Sequence, residues 1–396
     1  MTGVPDTASI VDLLTALVRV PSRGRIDART PVLACIEAWL DAHDVRSRRI
    51  VSATGEPLAL HVAIRGGAGA GPHYLLNATL DTAGFGDEAT WTWPPLSAHI
   101  ENGWLYGRGS ADSKAAVAIF AHLAAAFSQR AAALEGTLGV LFDLDEHTGR
   151  FGGARAFFDA PDAPRPDGVL IGYPGIDRIM AGARGFLRAK LIVHGVAAHS
   201  GASSTRGINA AIRGATLAAA LDGCTLPADP AFGRPAQLTV TGLRAGDGTY
   251  TSVPDRCELN LDCRLTPAFD ADEAKRLIER IVRDQDVHIA PELATSIEWM
   301  PGWPAYRVPD SHPMTDALRR AARSELSADL PLAVAGPSNI GNYLASLGVP
   351  ALCGFGVRCE GIHAADERIE LASIVPVYRI YERALTMLLA PENGPS

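Results

Sequence analysis

The stretch VLFDLDEHTG occupies residues 140–149. It closes an apolar segment, 137–144, with the length of a strand, and ends in Asp145, Glu146 and His147. Those groups are costly to bury unless they are paired. Charge delivered at the carboxyl end of a strand is the arrangement by which open α/β sheets bind ligands. The pattern recurs on both sides. Residues 58–65 (LALHVAIR) and 73–81 (HYLLNATLD) read as strands, the second ending at Asp81, and 167–172 (DGVLIG) reads as another, ending beside Tyr173. AAVAIFAHLAAAF at 115–127 is too rich in alanine for a strand and reads as a buried helix, while 9–19 and 30–43 carry apolar positions at helical spacing. Strands alternating with helices predict an α/β protein with a mostly parallel sheet covered on both faces.

From about residue 184 the rhythm changes. A strand at 186–195, a helix at 207–222, strands at 236–243 and 256–265, a helix at 271–284 and a strand near 287–293 follow one another. This β-α-β-β-α-β order is the ferredoxin-like plan. Helices at 312–326 and 338–347, strand-like ALCGFG at 351–356, a loop with His363 and a last helix from about 371 then resume the first pattern. The expectation is a catalytic α/β domain formed by 1–183 and 296–396, interrupted by an inserted ferredoxin-like α+β lid at 184–295.

Composition narrows the function. With 47% apolar and 20% charged residues among 396, the chain can build a large core and is not a disordered one. A net charge of −8 without a basic stripe argues against nucleic acid as partner. No stretch approaches the ~20 uninterrupted apolar residues of a membrane span. The start, MTGVPDTASIVDLLTALV, lacks the basic region, apolar core and cleavage site of a signal peptide. Six scattered cysteines without a CxxC pair suggest free thiols in a cytoplasmic protein rather than a disulfide framework or a zinc knuckle.

The residues able to carry chemistry converge on one sheet edge. Asp81, Asp145, Glu146 and His147 end predicted strands, Asp112 lies in GRGSADSK (107–114) just before a helix, and His363 follows another strand. Any one of them alone reads as a helix cap or a solvated charge. Gly107 and Gly109 suit a tight turn that presents Asp112, since no GxxxxGK[ST] phosphate loop is present. Trp91 and Trp93 read as loop-packing residues.

LLTALVRVPS, LDTAG, GRGSADSK, LDEHTGRFGG, VHGVAAHSG, GINAA, LNLDCRL and HAADERI follow one another between about residues 9 and 385. Their order and spacing resemble the aminoacylase, carboxypeptidase G and succinyl-diaminopimelate desuccinylase family of zinc metallohydrolases. The resemblance implies a catalytic domain with an inserted lid that dimerises, two zinc ions bridged by one Asp, and a Glu as general base. By position, Asp112 matches the bridging Asp, Glu146 the base, Asp81 the Asp that orients a metal-bound His, and His363 the last His ligand.

Three positions depart from the family pattern. Thr79 stands where the family has the His of GHxD, His147 where it has the second Glu of DEE, and Tyr173 where it has the Glu of GEPT. Thr79 and Tyr173 remove both ligands exclusive to one metal. Asp112, His147 and His363 can still hold the other, because imidazole ligates zinc as well as carboxylate does, at ~2.0–2.1 Å. The expected site holds one zinc and a water whose pKa falls towards ~7. Glu146 takes its proton, with Asp145 in support.

By the same resemblance, His199 polarises the scissile carbonyl of a neighbouring subunit's substrate. Arg264 grips a substrate carboxylate, a task that suits the bidentate guanidinium. Asn209 and Tyr173 lie on the substrate side, Asn209 reading chiefly as a helix-start residue. Arg184 is a further anion contact, and Thr251 replaces a family Asn. The expected activity is amide cleavage in an N-acyl amino acid or small peptide-like substrate with a free carboxylate, by a homodimer. Two other readings stay open. One is a metal-independent enzyme using Glu146, His147, Asp112 and His363 for acyl transfer, cyclisation or condensation. The other is a binding relative without catalysis.

Overall fold

A computed structural model describes residues 6–201, 207–230 and 232–391; the first five residues of the stretch read for a leader lie outside it. The chain divides into two compact units, Ala183–Arg307 with Gly336–Ser338 forming the second and the remainder the first.

The first unit is built on a six-stranded sheet. Its strands lie in the order Ser47–Val51, Pro57–Arg65, Thr137–Asp143, His73–Thr79, Gly168–Ile171, Ala351–Leu352. The first two run antiparallel to their neighbours, and the other three pairings are parallel. The fold class is therefore α/β with a mostly parallel catalytic sheet. The inner strands are apolar on both faces, as in His73–Thr79, where every residue after the first is buried. Helices cover them. Ala115–Gln129 buries ten side chains, and alanine lets that helix approach closely. Asp6 caps Thr7–Arg19 through the Ala8 amide at 3.0 Å. A smaller sheet joins His99–Glu101, Trp104–Tyr106, Arg368–Glu370 and Cys359–Glu360. It places the segment around His363 beside the one around Asp112.

The second unit carries a four-stranded antiparallel sheet in the order Gln237–Ala245, Arg256–Leu265, Gly185–His194, Ser296–Trp303, with helices Ala210–Asp222 and Ala271–Gln285. Leu191, Leu217, Leu259 and Ile278 are among its buried core. One expected strand is displaced. Residues 287–293 form no strand, and Pro291–Leu293 is a short 3₁₀ turn; the edge strand forms later, at Ser296–Trp303, paired with Gly185–His194. The inserted unit consequently runs to Arg307 rather than 295. Pairing with Gly185–His194 decides the position, and Pro301 falls where the register of that pairing shifts, between Met300 and Trp303.

All six cysteines are free thiols. Among the described residues no helix is long and apolar enough to cross a membrane.

Candidate metal centre

The site is assembled at the carboxyl ends of the central strands of the first unit. Asp112 sits in a single wide turn, Ser110–Lys114, that breaks from helical geometry at Asp112 and Ser113. The turn is entered through Gly109 at φ +82°, where a Cβ would meet Thr82 Cγ2 at 2.4 Å. The Asp112–Ser113 peptide is cis. Lys114 is buried and donates to Leu17 O and Val20 O, both at 2.9 Å, which ties the turn to the end of the first helix. Burial lowers the pKa of this lysine to about 7. His147 follows strand Thr137–Asp143 by one tight turn, in which Asp145 takes φ +71° and accepts from Thr148 Oγ1 at 2.8 Å. His363 rides on a loop, at φ +61°.

Asp112, His147 and His363 offer donor atoms that all lie within 4.8 Å of one another. His363 Nε2 is 3.1 Å and His147 Nε2 3.6 Å from Asp112 Oδ2. The two imidazole centroids are 5.3 Å apart. Asp112 Oδ1 and both ring nitrogens of His147 are buried without a hydrogen-bond partner. Buried polar atoms are rarely left so. Two imidazoles and a carboxylate converging on one point, with Asp112 Oδ1 and His147 Nε2 buried and without a hydrogen bond, fit a divalent cation of the zinc type.

Electrostatics agree. Burial favours the protonated form of Asp112, but the facing imidazoles of His147 and His363 outweigh it and pull its carboxyl below the ordinary range. Burial likewise opposes charge on His147, and the Asp112 and Asp81 carboxylates reverse this, raising its pKa well above the usual value.

The neighbouring corner is built differently. Asp81 Oδ1 accepts from Thr79 Oγ1 at 2.5 Å and from the Glu146 amide at 3.1 Å. Its Oδ2 accepts from the His147 amide at 3.1 Å and lies 3.4 Å from His147 Nδ1. Tyr173 donates its hydroxyl to Glu146 Oε1. Burial, with the Asp112 charge, raises the Glu146 pKa to about 7 against the pull of His147 and Tyr173. The phenol of Tyr173 is pushed well above its usual value by burial and the Glu146 and Asp112 charges.

Two further acids belong to this neighbourhood. Asp143 is fully buried at the strand end, accepts from Asn77 Nδ2 at 3.0 Å, and is raised far above the carboxylate range by burial and the Asp81 charge. Glu367 is buried against Arg108 at 2.6 Å. Neither stood among the sequence candidates. Asp143 falls inside VLFDLDEH, where a lone acid within a fully apolar strand was the available signal.

His199, Asn209 and Arg264 lie in the second unit. His199 is exposed, accepts from the Gly201 amide at 3.0 Å, and adjoins residues 202–206, outside the described set. Asn209 Oδ1 caps helix Ala210–Asp222 through the Ala211 and Ile212 amides at 2.9 and 3.2 Å, so the helix-start role describes it rather than substrate contact. Arg264 pairs with Asp262 at 2.7 Å. Burial and the nearby Arg264 and Arg234 charges lower the pKa of Arg184, which marks a cationic cluster. Trp91 is buried and donates Nε1 to Phe85 O at 2.9 Å, as a packing residue does.

Residues 75–387 match the model of peptidase family M20/M25/M40, and the chain belongs to that family. It is a metal-dependent amide-bond hydrolase. It is 28% identical to the succinyl-diaminopimelate desuccinylase of Bordetella petrii over 329 residues, covering 81% of this chain and 84% of that one. Against the enzyme of the same name from Paracoccus denitrificans it is 26% identical, over 98% of this chain and 100% of the relative. The Bacillus subtilis YXEP protein, a dinuclear metal binding peptidase from the M20 family, superposes with a TM-score of 0.72 at 15% identity, over 97% of this chain and 98% of that one. An M20 family metallo-carboxypeptidase from Sulfolobus solfataricus gives 0.74 at 18% identity, over 96% and 99%.

Proposed function

We propose that this enzyme hydrolyses the amide bond of N-acyl amino acids or small peptide-like substrates with a free carboxylate, using one zinc per chain. The observation that carries the reading is the convergence of Asp112, His147 and His363, whose possible ligand atoms lie within 4.8 Å of one another while Asp112 Oδ1 and His147 Nε2 have no hydrogen-bond partner. These three would hold the ion, which when bound supplies Lewis acidity towards water and carbonyl oxygen.

Glu146 is the proton carrier. A carboxyl poised at about pH 7 both accepts and returns a proton near neutrality. It takes the proton of the attacking water and gives it to the leaving nitrogen. Tyr173 fixes Glu146 Oε1, and Asp81 fixes the Glu146 and His147 amides. In this reading Thr79 and Tyr173 replace a second metal by hydrogen bonds to Asp81 and Glu146.

His199, supplied by a second copy of the chain, polarises the carbonyl, and Arg264 with Arg184 receives the carboxylate. The cationic cluster around Arg184 supports the latter. Curated relatives are named succinyl-diaminopimelate desuccinylases, a name that describes release of an acyl group from an amino acid. The open edge strand Gln237–Ala245, with Leu243 exposed, supports a homodimer through the second unit. Six free thiols fit a cytoplasmic enzyme.

The test compares N-acyl amino acids with their methyl esters, monitoring amide cleavage. Loss of the carboxylate should lower kcat/KM at least about tenfold, the scale of a charge-assisted hydrogen bond. Equal rates would remove the carboxylate from the substrate definition.

A further inference from the structure

His363 is the exposed member of the triad. Its side chain is 55% accessible, against 7% for His147 and 10% for Asp112. Among the described residues its side-chain hydrogen bond is the one to Asp112. The loop beneath it is all turn, with Gly361, His363 and Asp366 at φ +71°, +61° and +56°. Such a loop does not set a ligand to the tolerance a metal requires unless something outside it does.

That something is a buried ion pair drawn from both ligand-bearing segments. Arg108 Nη1 meets Glu367 Oε2 at 2.6 Å, with side chains 1% and 0% accessible. The other guanidinium arm, Nη2, donates to Ala364 O at 3.0 Å, the residue after His363. The other carboxylate oxygen, Oε1, accepts from the Ala111 and Asp112 amides at 3.0 and 3.2 Å. The Gly107 amide donates to Glu367 O at 2.8 Å. The guanidinium lies 5.1 Å from the centroid of the Trp91 ring, and Asp366 accepts from Thr92 N and Oγ1 at 2.8 and 2.7 Å. Residues 107–112 and 361–367 are thus bolted together next to the Asp112–His363 pair.

We propose that Arg108 and Glu367 are positioning residues that set the spacing of Asp112 and His363 and thereby the affinity of the site for zinc. A purely stabilising ion pair would have no reason to address the amide of one ligand and the carbonyl beside the other. Glu367 does the first and Arg108 the second, and the segments they join are more than 250 residues apart in the chain. The inference rests on the single-zinc reading and concerns residues that touch neither metal nor substrate.

The test is titration of metal-free enzyme with zinc against a chromophoric chelator, together with the visible spectrum of the cobalt form. Glu367→Gln keeps size and an acceptor but loses the charge that holds Arg108. It should weaken zinc binding ~10–100-fold, the scale for removing a contact that orients a ligand, and shift the cobalt bands. Its metal-free melting temperature is measured alongside. A lower melting temperature with unchanged zinc affinity and cobalt spectrum would overturn the proposal, because that is the signature of stability alone. Should Glu367→Gln fail to fold, Thr92→Val removes only the hydroxyl bond to Asp366 on the same loop. It should weaken zinc by about tenfold, the low end of that scale, and equal affinity would overturn the proposal. A wild-type protein that takes up no zinc would sink the single-zinc reading and this inference with it. Wild-type binding matched by the variants would sink the inference alone.

Discussion

Two corners of one site, a few residues apart, have opposite bookkeeping of polar atoms. Around Asp112, His147 and His363, Asp112 Oδ1 and His147 Nε2 are buried with no hydrogen bond. Around Asp81 and Glu146, the carboxylates accept from Thr79, Tyr173 and two backbone amides. In the proposed reading a cation completes the first corner. In the second, Asp81 Oδ1 and Glu146 Oε1 are met by a hydroxyl and a phenol that stand where the family pattern has two metal ligands. A buried donor with no partner and a buried acid with a full set of donors are the two faces of one rule, that buried polar groups are satisfied by something. In the single-zinc reading proposed above, this contrast separates one metal position from one hydrogen-bonded position.

The largest expected effect separates the corners by function. Glu146→Gln should lower kcat by about 10²- to 10⁴-fold, the range for a lost general base, while leaving zinc content unchanged. Tyr173→Phe removes a single hydrogen bond from the same carboxylate and should cost roughly tenfold. Because the phenol's bond lowers the Glu146 pKa, its loss should also move the acid limb of the rate profile to higher pH. A Tyr173→Phe enzyme as slow as Glu146→Gln would mean that the phenol itself carries the proton, and the division of labour above would be wrong.

A second experiment tries to erase the contrast. The double change Thr79→His and Tyr173→Glu puts metal ligands back in the hydrogen-bonded corner. Zinc content should rise by one ion per chain, measured by elemental analysis. Unchanged content would show that these positions no longer face a metal-sized space.

The smallest effect lies away from the site and tests whether burial, rather than any metal, governs titration elsewhere. His61 is half-buried beside Phe157, with ring centroids 4.6 Å apart, and desolvation lowers its pKa to about 4. Between pH 6.5 and 4 the unfolded chain binds a proton at this position that the folded chain refuses. Stability should therefore fall as pH drops through that window. His61→Leu should flatten the fall by on the order of 1 to 2 kcal/mol, measured from urea midpoints at pH 7 and 4.5. An unaltered slope would place the proton elsewhere.

The sheet and the inserted unit were legible because their signals are local. Apolar runs ending in Asp81 and Asp145–His147 state both a strand and its direction, and the alanine-rich 115–127 segment can only be a packed helix. Legibility ended where structure depends on partners far along the chain. The edge strand Ser296–Trp303 alternates over Ser296–Trp299 but is broken by Pro301 and Gly302, and it is defined by pairing with Gly185–His194, whereas VHIAPEL offered a competing apolar run next to it. The short strands His99–Glu101 and Cys359–Glu360 carry too few residues to show a period. The metal ligands were found through the motifs that hold them. Arg108 and Glu367 lie in the same two motifs, GRGSADSK and HAADERI, but nothing in either motif says that the two residues, 259 apart, pair with each other. Asp143 was hidden by its surroundings, since an acid in an inner strand is an exception to the rule that identifies the strand.

The central claim is that one corner holds a metal and the other does not. Elemental analysis of wild-type enzyme purified without chelator, paired with activity before and after metal removal, tests it most directly. The account predicts close to one zinc per chain, activity lost when the ion is stripped and regained when one equivalent is returned. Two ions per chain, or full activity with none, would contradict it.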